Sequence, residues 1–213
     1  MTAPDSYTLV ASRGCGSAIV EACFAVAELA CCVEEVDHES PGPGRDRLLA
    51  LNPLGQVPAL ILPDGTLLTE SAAMVLHLGD VAPEAGLVPP PGDPERPRFL
   101  RWLAFLVGAV YPTFTYGDDP SRYVSGEAAA AELRASTDAY RERCWRQVEG
   151  EVVPGGPWFL GSRLSVLDIY VSVMTRWRPR RPWFAERCPR LHGIALALDR
   201  DPRLAAVWAR NWG

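Results

Sequence analysis

The stretch richest in groups that can do chemistry is Asn52 to Ser71, NPLGQVPALILPDGTLLTES. Glu70 carries a carboxylate that can hold an ammonium group, and Ser71 opens an apolar helical stretch, Ala72 to Asp80. The first turn of a helix has spare N–H groups and a partial positive charge, so it can take a carboxylate. Val57, directly before Pro58, offers a backbone edge with which an extended peptide can pair. Together these groups describe a receptor for a small zwitterionic peptide. Each also has an ordinary reading, Pro58 shaping a turn and Ser71 capping a helix.

The elements that must position them are legible in chain order. Tyr7 to Ala11 reads as a short buried strand, followed by the glycine-rich loop Ser12-Arg13-Gly14-Cys15-Gly16-Ser17. Ala18 to Leu29 has helical spacing, with Ile19, Ala22, Cys23 and Val26 on one face. Val33 to Asp37 reads as a second strand, His38 to Gly44 as a loop and Arg45 to Leu51 as a short helix. Ala59 to Leu62 and Thr66 to Thr69 form an antiparallel pair around the turn Pro63-Asp64-Gly65. Pro58 cannot donate to a ladder, so the chain enters this hairpin through a rigid turn that admits a cis bond. The resulting order over residues 1–82 is βαβαββα, parallel strands joined by helices and then a hairpin.

Six prolines between Pro83 and Pro97 mark 83–97 as a linker. Residues 98–213 read as all helical. Phe99 to Val110 is apolar nearly all round, as a central helix would be, until Pro112 breaks it. Ser125 to Val153 is amphipathic, with Leu133, Tyr140, Cys144, Val148 and Val152 on one face. In Leu164-Ser165-Val166-Leu167-Asp168-Ile169, Ser165 caps a helix, Asp168 reaches back to it, and Leu164 packs on Ile169 as a staple. Pro202 and Leu204 to Ala209 suggest a last short helix.

Composition excludes several classes. The chain has 213 residues, 48% hydrophobic and 22% charged, the profile of a globular protein with a substantial core. A net charge of -5 without a lysine-rich run argues against nucleic acid as partner. No apolar stretch is long enough to span a membrane, and the start lacks the pattern of a secretory signal. The six cysteines (Cys15, Cys23, Cys31, Cys32, Cys144, Cys188) show neither C-x-x-C spacing nor a disulfide framework. A reducing cytoplasm without a bound metal is the expected setting.

The Gln-Val-Pro turn (Gln56, Val57, Pro58), the hairpin after it and Glu70-Ser71 opening a helix resemble the glutathione-binding half of the glutathione transferase family. The Ser165–Asp168 box resembles the one in that family's penultimate core helix, so the likeness spans nearly the whole chain. It implies a thioredoxin-like N-terminal domain, an all-α helical-bundle C-terminal domain and a homodimer. It also implies that glutathione is held by Gln56, Val57, Pro58, Glu70 and Ser71, Val57 pairing with the cysteinyl backbone and Glu70 and Ser71 with the γ-glutamyl end.

Such chemistry requires the glutathione thiol as thiolate, and a free thiol has a pKa of about 8.5 that helix-terminus donors lower. Tyrosine-type members end the first strand on tyrosine, where this chain has Ala11, so it resembles a bacterial serine- or cysteine-type subgroup. Ser17, where loop becomes helix, ranks first as the thiol's partner; a plain helix cap explains it too. Cys15 ranks second, holding glutathione as a mixed disulfide if Arg13 or the helix dipole makes its setting electropositive. Ser12, directly after the strand, ranks third. His38 is a candidate for the glycine carboxylate of glutathione, against simple solvation. Tyr111, Phe114 and Tyr116 cluster where the family holds its second substrate, a small hydrophobic electrophile; ordinary packing is the competing account. Trp177 and the basic run Arg176 to Arg181 either shape the cleft or simply face water, the second being the expectation. Three functions follow: a conjugating transferase, a disulfide or peroxide reductase through Cys15, and a transferase-like binding module without catalysis.

Overall fold

The computed structural model describes residues 6–213. The chain divides into two compact units, one of residues up to Pro90 with Ala197–Gly213, the other Pro91–Leu196. The division expected at 82 and 98 therefore differs in one substantive way. The last residues of the chain, expected in the helical domain, belong to the first unit.

In the first unit, β1 (Tyr7–Ala11), α1 (Ser17–Val26), β2 (Cys31–Glu35), α2 (Pro43–Leu51), β3 (Ala59–Ile61), β4 (Leu67–Leu68) and α3 (Ser71–Val81) follow the βαβαββα order. The sheet order is β2-β1-β3-β4. β1 pairs parallel with β2 and antiparallel with β3, which pairs antiparallel with β4. This is the thioredoxin-like arrangement. The directions bring the C-terminal ends of β1, β2 and β4 and the N-terminal end of β3 to one end of the sheet. Val10 faces Ala59 in the ladder. One more step of the same register sets Pro58 beside Ala11. The N-termini of α1 and α3 open at that same end.

α1 is buried along almost its whole length, and Val10, Val36, Leu48 and Ala59 close the sheet on its other side. α1 ends three residues earlier than its periodicity suggests, because Glu28 turns the chain out of the helix at φ 55°. β2 lies two residues earlier than expected. It is an edge strand of mixed exposure, and the buried Val36 lies just beyond it, its N–H bonded to the Ala11 carbonyl at 2.8 Å.

Part of the proline-rich stretch is packed rather than free. Leu87 and Val88 are buried, and Val88 sits so close to Gly79 that a Cβ there would come within 2.5 Å of it. Any side chain at residue 79 must displace this contact.

The second unit holds α4 (Arg96–Phe105), α5 (Tyr111–Asp118), α6 (Glu127–Gly150), α7 (Val166–Met174) and α8 (Arg181–Arg187); α9 (Pro189–Asp199) spans the division. Between α4 and α5, Leu106–Val110 widens into a π-type turn, and Pro112 sits in the first turn of α5. The expected break is thus a widening followed by a restart, where a proline lacking N–H is tolerated. Cys144 and Val148 of α6 are buried as expected, whereas Tyr140 is 44% exposed. The box at α7 is complete: Asp168 accepts from the Ser165 N–H at 2.8 Å and from its hydroxyl at 3.0 Å. Asp168 also accepts from the Phe159 N–H at 2.6 Å. α10 (Ala205–Trp212) closes the chain, within the first unit.

Candidate functional site

Four pieces of backbone meet at the sheet end described above: the loop after β1, the loop after β2, the turn before β3 and the step from β4 into α3. In the third of these, Val57-Pro58 is a cis peptide, with Pro58 buried, Val57 half-buried and Gln56 exposed. The turn is built by Asn52, a buried residue that the motif reading passed over. Its side-chain amide donates to the Gln56 carbonyl at 2.9 Å and its Oδ1 accepts from the Leu54 N–H at 3.2 Å. An asparagine at a helix C-terminus, four residues before an X-Val-Pro, is the signal that could have revealed it.

At the step into α3, Glu70 is exposed and held at φ 65°, a left-handed conformation costly for a residue with a Cβ. Strain of this kind persists only where the surroundings enforce it and concentrates at functional sites. It places Glu70 immediately before the first turn of α3, which Ser71 begins, half-buried.

The loop after β1 separates the three thiol candidates. Ser17 is fully buried; its hydroxyl donates to the Ser12 carbonyl at 2.9 Å and accepts from the Ser12 N–H at 3.1 Å. Both of its functions are spent on the loop's own backbone. Cys15 is half-buried, and its thiol is pushed up from the usual value by burial and by the Glu39 carboxylate, against a smaller lowering by the Ser12 hydroxyl. Arg13 does not supply the electropositive setting that a reactive cysteine needs, because it turns to Glu35, 2.9 Å away. Ser12 is half-buried, and its hydroxyl lies 3.1 Å from His38 Nδ1.

His38 is itself fixed. Its carbonyl accepts from Arg45, and the preceding Asp37 takes the N–H groups of Glu39 and Ser40 at 3.0 Å each. Those bonds, the Ser40 N–H first, hold the Asp37 carboxyl below its ordinary range.

In the helical unit, Tyr111 and Phe114 gather on Trp177, with ring centroids 5.5 and 5.1 Å away and 6.4 Å from each other. Phe114 is a core residue, 5% exposed, with the Arg141 guanidinium 4.5 Å over its ring. Tyr116 is elsewhere: it meets Tyr123 edge-to-face at 4.8 Å and lines an open groove of about 400 Å³ with Pro112, Thr113 and Tyr140. The three aromatics therefore do not form one cluster. Nor does the basic run simply face water, since Trp177 is in the aromatic group and Arg178 pairs with Asp118 at 2.7 Å. Among the described residues no cluster of histidine, cysteine or carboxylate side chains could hold a metal ion, and no helix is long and apolar enough to cross a membrane.

Comparison with known proteins decides the family. Residues 19–81 match the glutathione S-transferase N-terminal domain. The chain is 35% identical over 201 residues to the uncharacterised GST-like protein YncG of Escherichia coli (strain K12), covering 93% of this chain and 95% of that one. It belongs to the glutathione S-transferase family. Among solved structures, a glutathione transferase of Methylococcus capsulatus shares 31% identity at a TM-score of 0.77, covering 95% of this chain and 97% of that one. A glutathione transferase homologue from Sulfitobacter, crystallised with bound glutathione, superposes at a TM-score of 0.81 with 25% identity, over 96% and 98% of the two chains.

Proposed function

We propose that this transferase binds glutathione at the sheet end formed by Val57-Pro58 and Glu70-Ser71, and activates its thiol for attack on a small hydrophobic electrophile. The observation that carries the reading is the convergence of a cis Val57-Pro58 turn, a strained Glu70 and the open N-terminus of α3 at the end of β1 where the Ser12 hydroxyl lies. Glu70 meets the γ-glutamyl ammonium, while Ser71 and the α3 N-terminus take its carboxylate. Val57 pairs with the cysteinyl backbone, Gln56 and Pro58 shaping its approach.

That pose brings the thiol to the loop after β1. Here the order of the candidates changes, because the geometry favours Ser12 over Ser17 and Cys15. In the tautomer where His38 Nδ1 donates to Ser12 Oγ, the Ser12 hydroxyl turns from the Cys15 thiol to the glutathione sulfur, and a charge-assisted hydrogen bond stabilises the thiolate. The thiolate then attacks the electrophilic carbon, and the leaving group departs with the bonding pair. The family resemblance supports a homodimer as the working assembly.

The reductase reading through Cys15 is weaker, since a thiol raised by burial and an acidic neighbour is a poor nucleophile at neutral pH. The test is a panel of aryl halide and epoxide electrophiles assayed with glutathione, wild type beside Ser12→Ala. Conjugation that the variant loses supports the reading. Thiol–disulfide exchange without conjugation overturns it in favour of Cys15, and binding without any turnover overturns it in favour of a module that has no catalysis.

A further inference from the structure

Four ionic groups and one buried amide join the C-terminal helix α10 to the loop that carries Ser12 and Cys15, all within the first unit. Asn211, 6% exposed, accepts the Gly14 N–H on Oδ1 at 3.1 Å. Its orientation is not free to change, because Nδ2 donates to Glu21 Oε2 at 3.0 Å and to the Val207 carbonyl at 2.9 Å. Glu21, on α1 directly after the loop, is 9% exposed. Arg210 grips it with both Nε and its terminal nitrogen, the former at 2.7 Å. Arg210 also reaches Glu35 at 3.4 Å, and Glu35 holds Arg13 at 2.9 Å.

The chain of contacts Gly14–Asn211–Glu21–Arg210–Glu35–Arg13 thus starts and ends on adjacent residues of the loop. Gly14 itself stands at φ 68°, and a Cβ there would meet the Trp212 ring nitrogen at 3.5 Å and the Asn211 carbonyl at 3.7 Å. A buried carboxylate is retained only where it is paired and fully hydrogen-bonded. Glu21 meets that condition through residues 189 and 190 positions away in sequence.

We propose that Asn211 is a positioning residue for the glutathione thiol: it fixes the Gly14 N–H, and through it the path of the loop from Ser12 to Cys15, so that the C-terminal helix sets how far the thiolate is stabilised. This inference rests on the glutathione reading above. Asn211 has no direct part in holding the γ-glutamyl end, which lies on Glu70 and Ser71. Its loss should leave glutathione affinity in place and weaken thiolate stabilisation alone.

The experiment is a titration of the bound glutathione thiol by its thiolate ultraviolet absorbance against pH, with kcat and KM, for wild type and Asn211→Ala. The expected result is a thiol pKa raised by about one unit and a kcat at low pH reduced about tenfold, with KM for glutathione changed less than about twofold. If Asn211→Ala does not fold, Asn211→Ser, which leaves room for water to serve Glu21, carries the same readout. A folded variant whose thiol titration overlays the wild type overturns the proposal. Wild-type protein that binds no glutathione overturns the underlying reading instead, so the two failures are distinct.

Discussion

Ser12 Oγ and His38 Nδ1 lie 3.1 Å apart, on the loops that follow two parallel, adjacent strands. Neither residue has meaning alone. A serine after a strand and a histidine in a proline-rich loop are each commonplace, and only the parallel pairing of β1 with β2 brings them together. The pairing gives Ser12 Oγ a partner outside its own loop, in addition to the Cys15 thiol that its hydroxyl reaches within it.

Replacing Ser12 by alanine should lower kcat for conjugation about ten- to a hundredfold, the equivalent of a charge-assisted hydrogen bond of about 1.5–3 kcal/mol. Glutathione affinity should change little. Ser17→Ala should act first on stability, lowering Tm, because it leaves the Ser12 carbonyl and N–H without their partner. Steady-state kinetics beside thermal melts separate the two effects. A larger kcat loss in Ser17→Ala than in Ser12→Ala would contradict the assignment.

Cys15 should alkylate slowly. Its thiol is raised above the ordinary value, so at pH 7 its thiolate fraction is smaller than that of a free cysteine, and the rate should climb only at higher pH. Iodoacetamide labelling followed by peptide mass mapping reads this site apart from the exposed Cys32. Labelling of Cys15 faster than of free cysteine would revive the reductase reading.

Ser165→Ala should cost about 1 kcal/mol or somewhat more, as a lost helix cap does. It also removes the hydroxyl donated to Asp168. Denaturant melts give the number directly, and an unchanged midpoint would mean that the box does not stabilise the fold.

Burial raises the Asp168 carboxyl to about 7 from 3.8, outweighing the hydrogen bonds, from the Phe159 N–H first, that favour the charged form. The folded protein therefore holds this proton more tightly than the unfolded chain. Asp168's contribution to stability is full below pH 3.8, declines as pH rises towards about 7, and is flat above. At about 1.4 kcal/mol per unit, the decline has a ceiling of about 4 kcal/mol. Asp168→Asn should flatten that slope in melts run at several pH values; an identical slope would refute it.

The sequence carried the element order and both family motifs, because turn chemistry and capping boxes are local. Asn52-x-x-x-Gln56-Val57-Pro58 and Ser165-x-x-Asp168 specify their own bonds within a few residues. What escaped it was set by distance along the chain. The closure of Ser17 on Ser12 spans five residues of glycine-rich loop, whose conformation no local pattern dictates. The Arg210–Glu21 pair spans 189 residues, and a lone arginine near the terminus resembles any surface arginine. Tyr116 parts from Tyr111 and Phe114 by helical spacing: in α5 residues three apart share a face, and a residue two or five further on does not.

The central claim is that the sheet end holds glutathione through Glu70 and Ser71. Calorimetric titration of glutathione into wild type, Glu70→Ala and Ser71→Ala tests it most directly. The account predicts micromolar to millimolar binding by wild type and loss of that binding in both variants. Wild-type affinity retained in both, or no heat of binding in wild type, would contradict it.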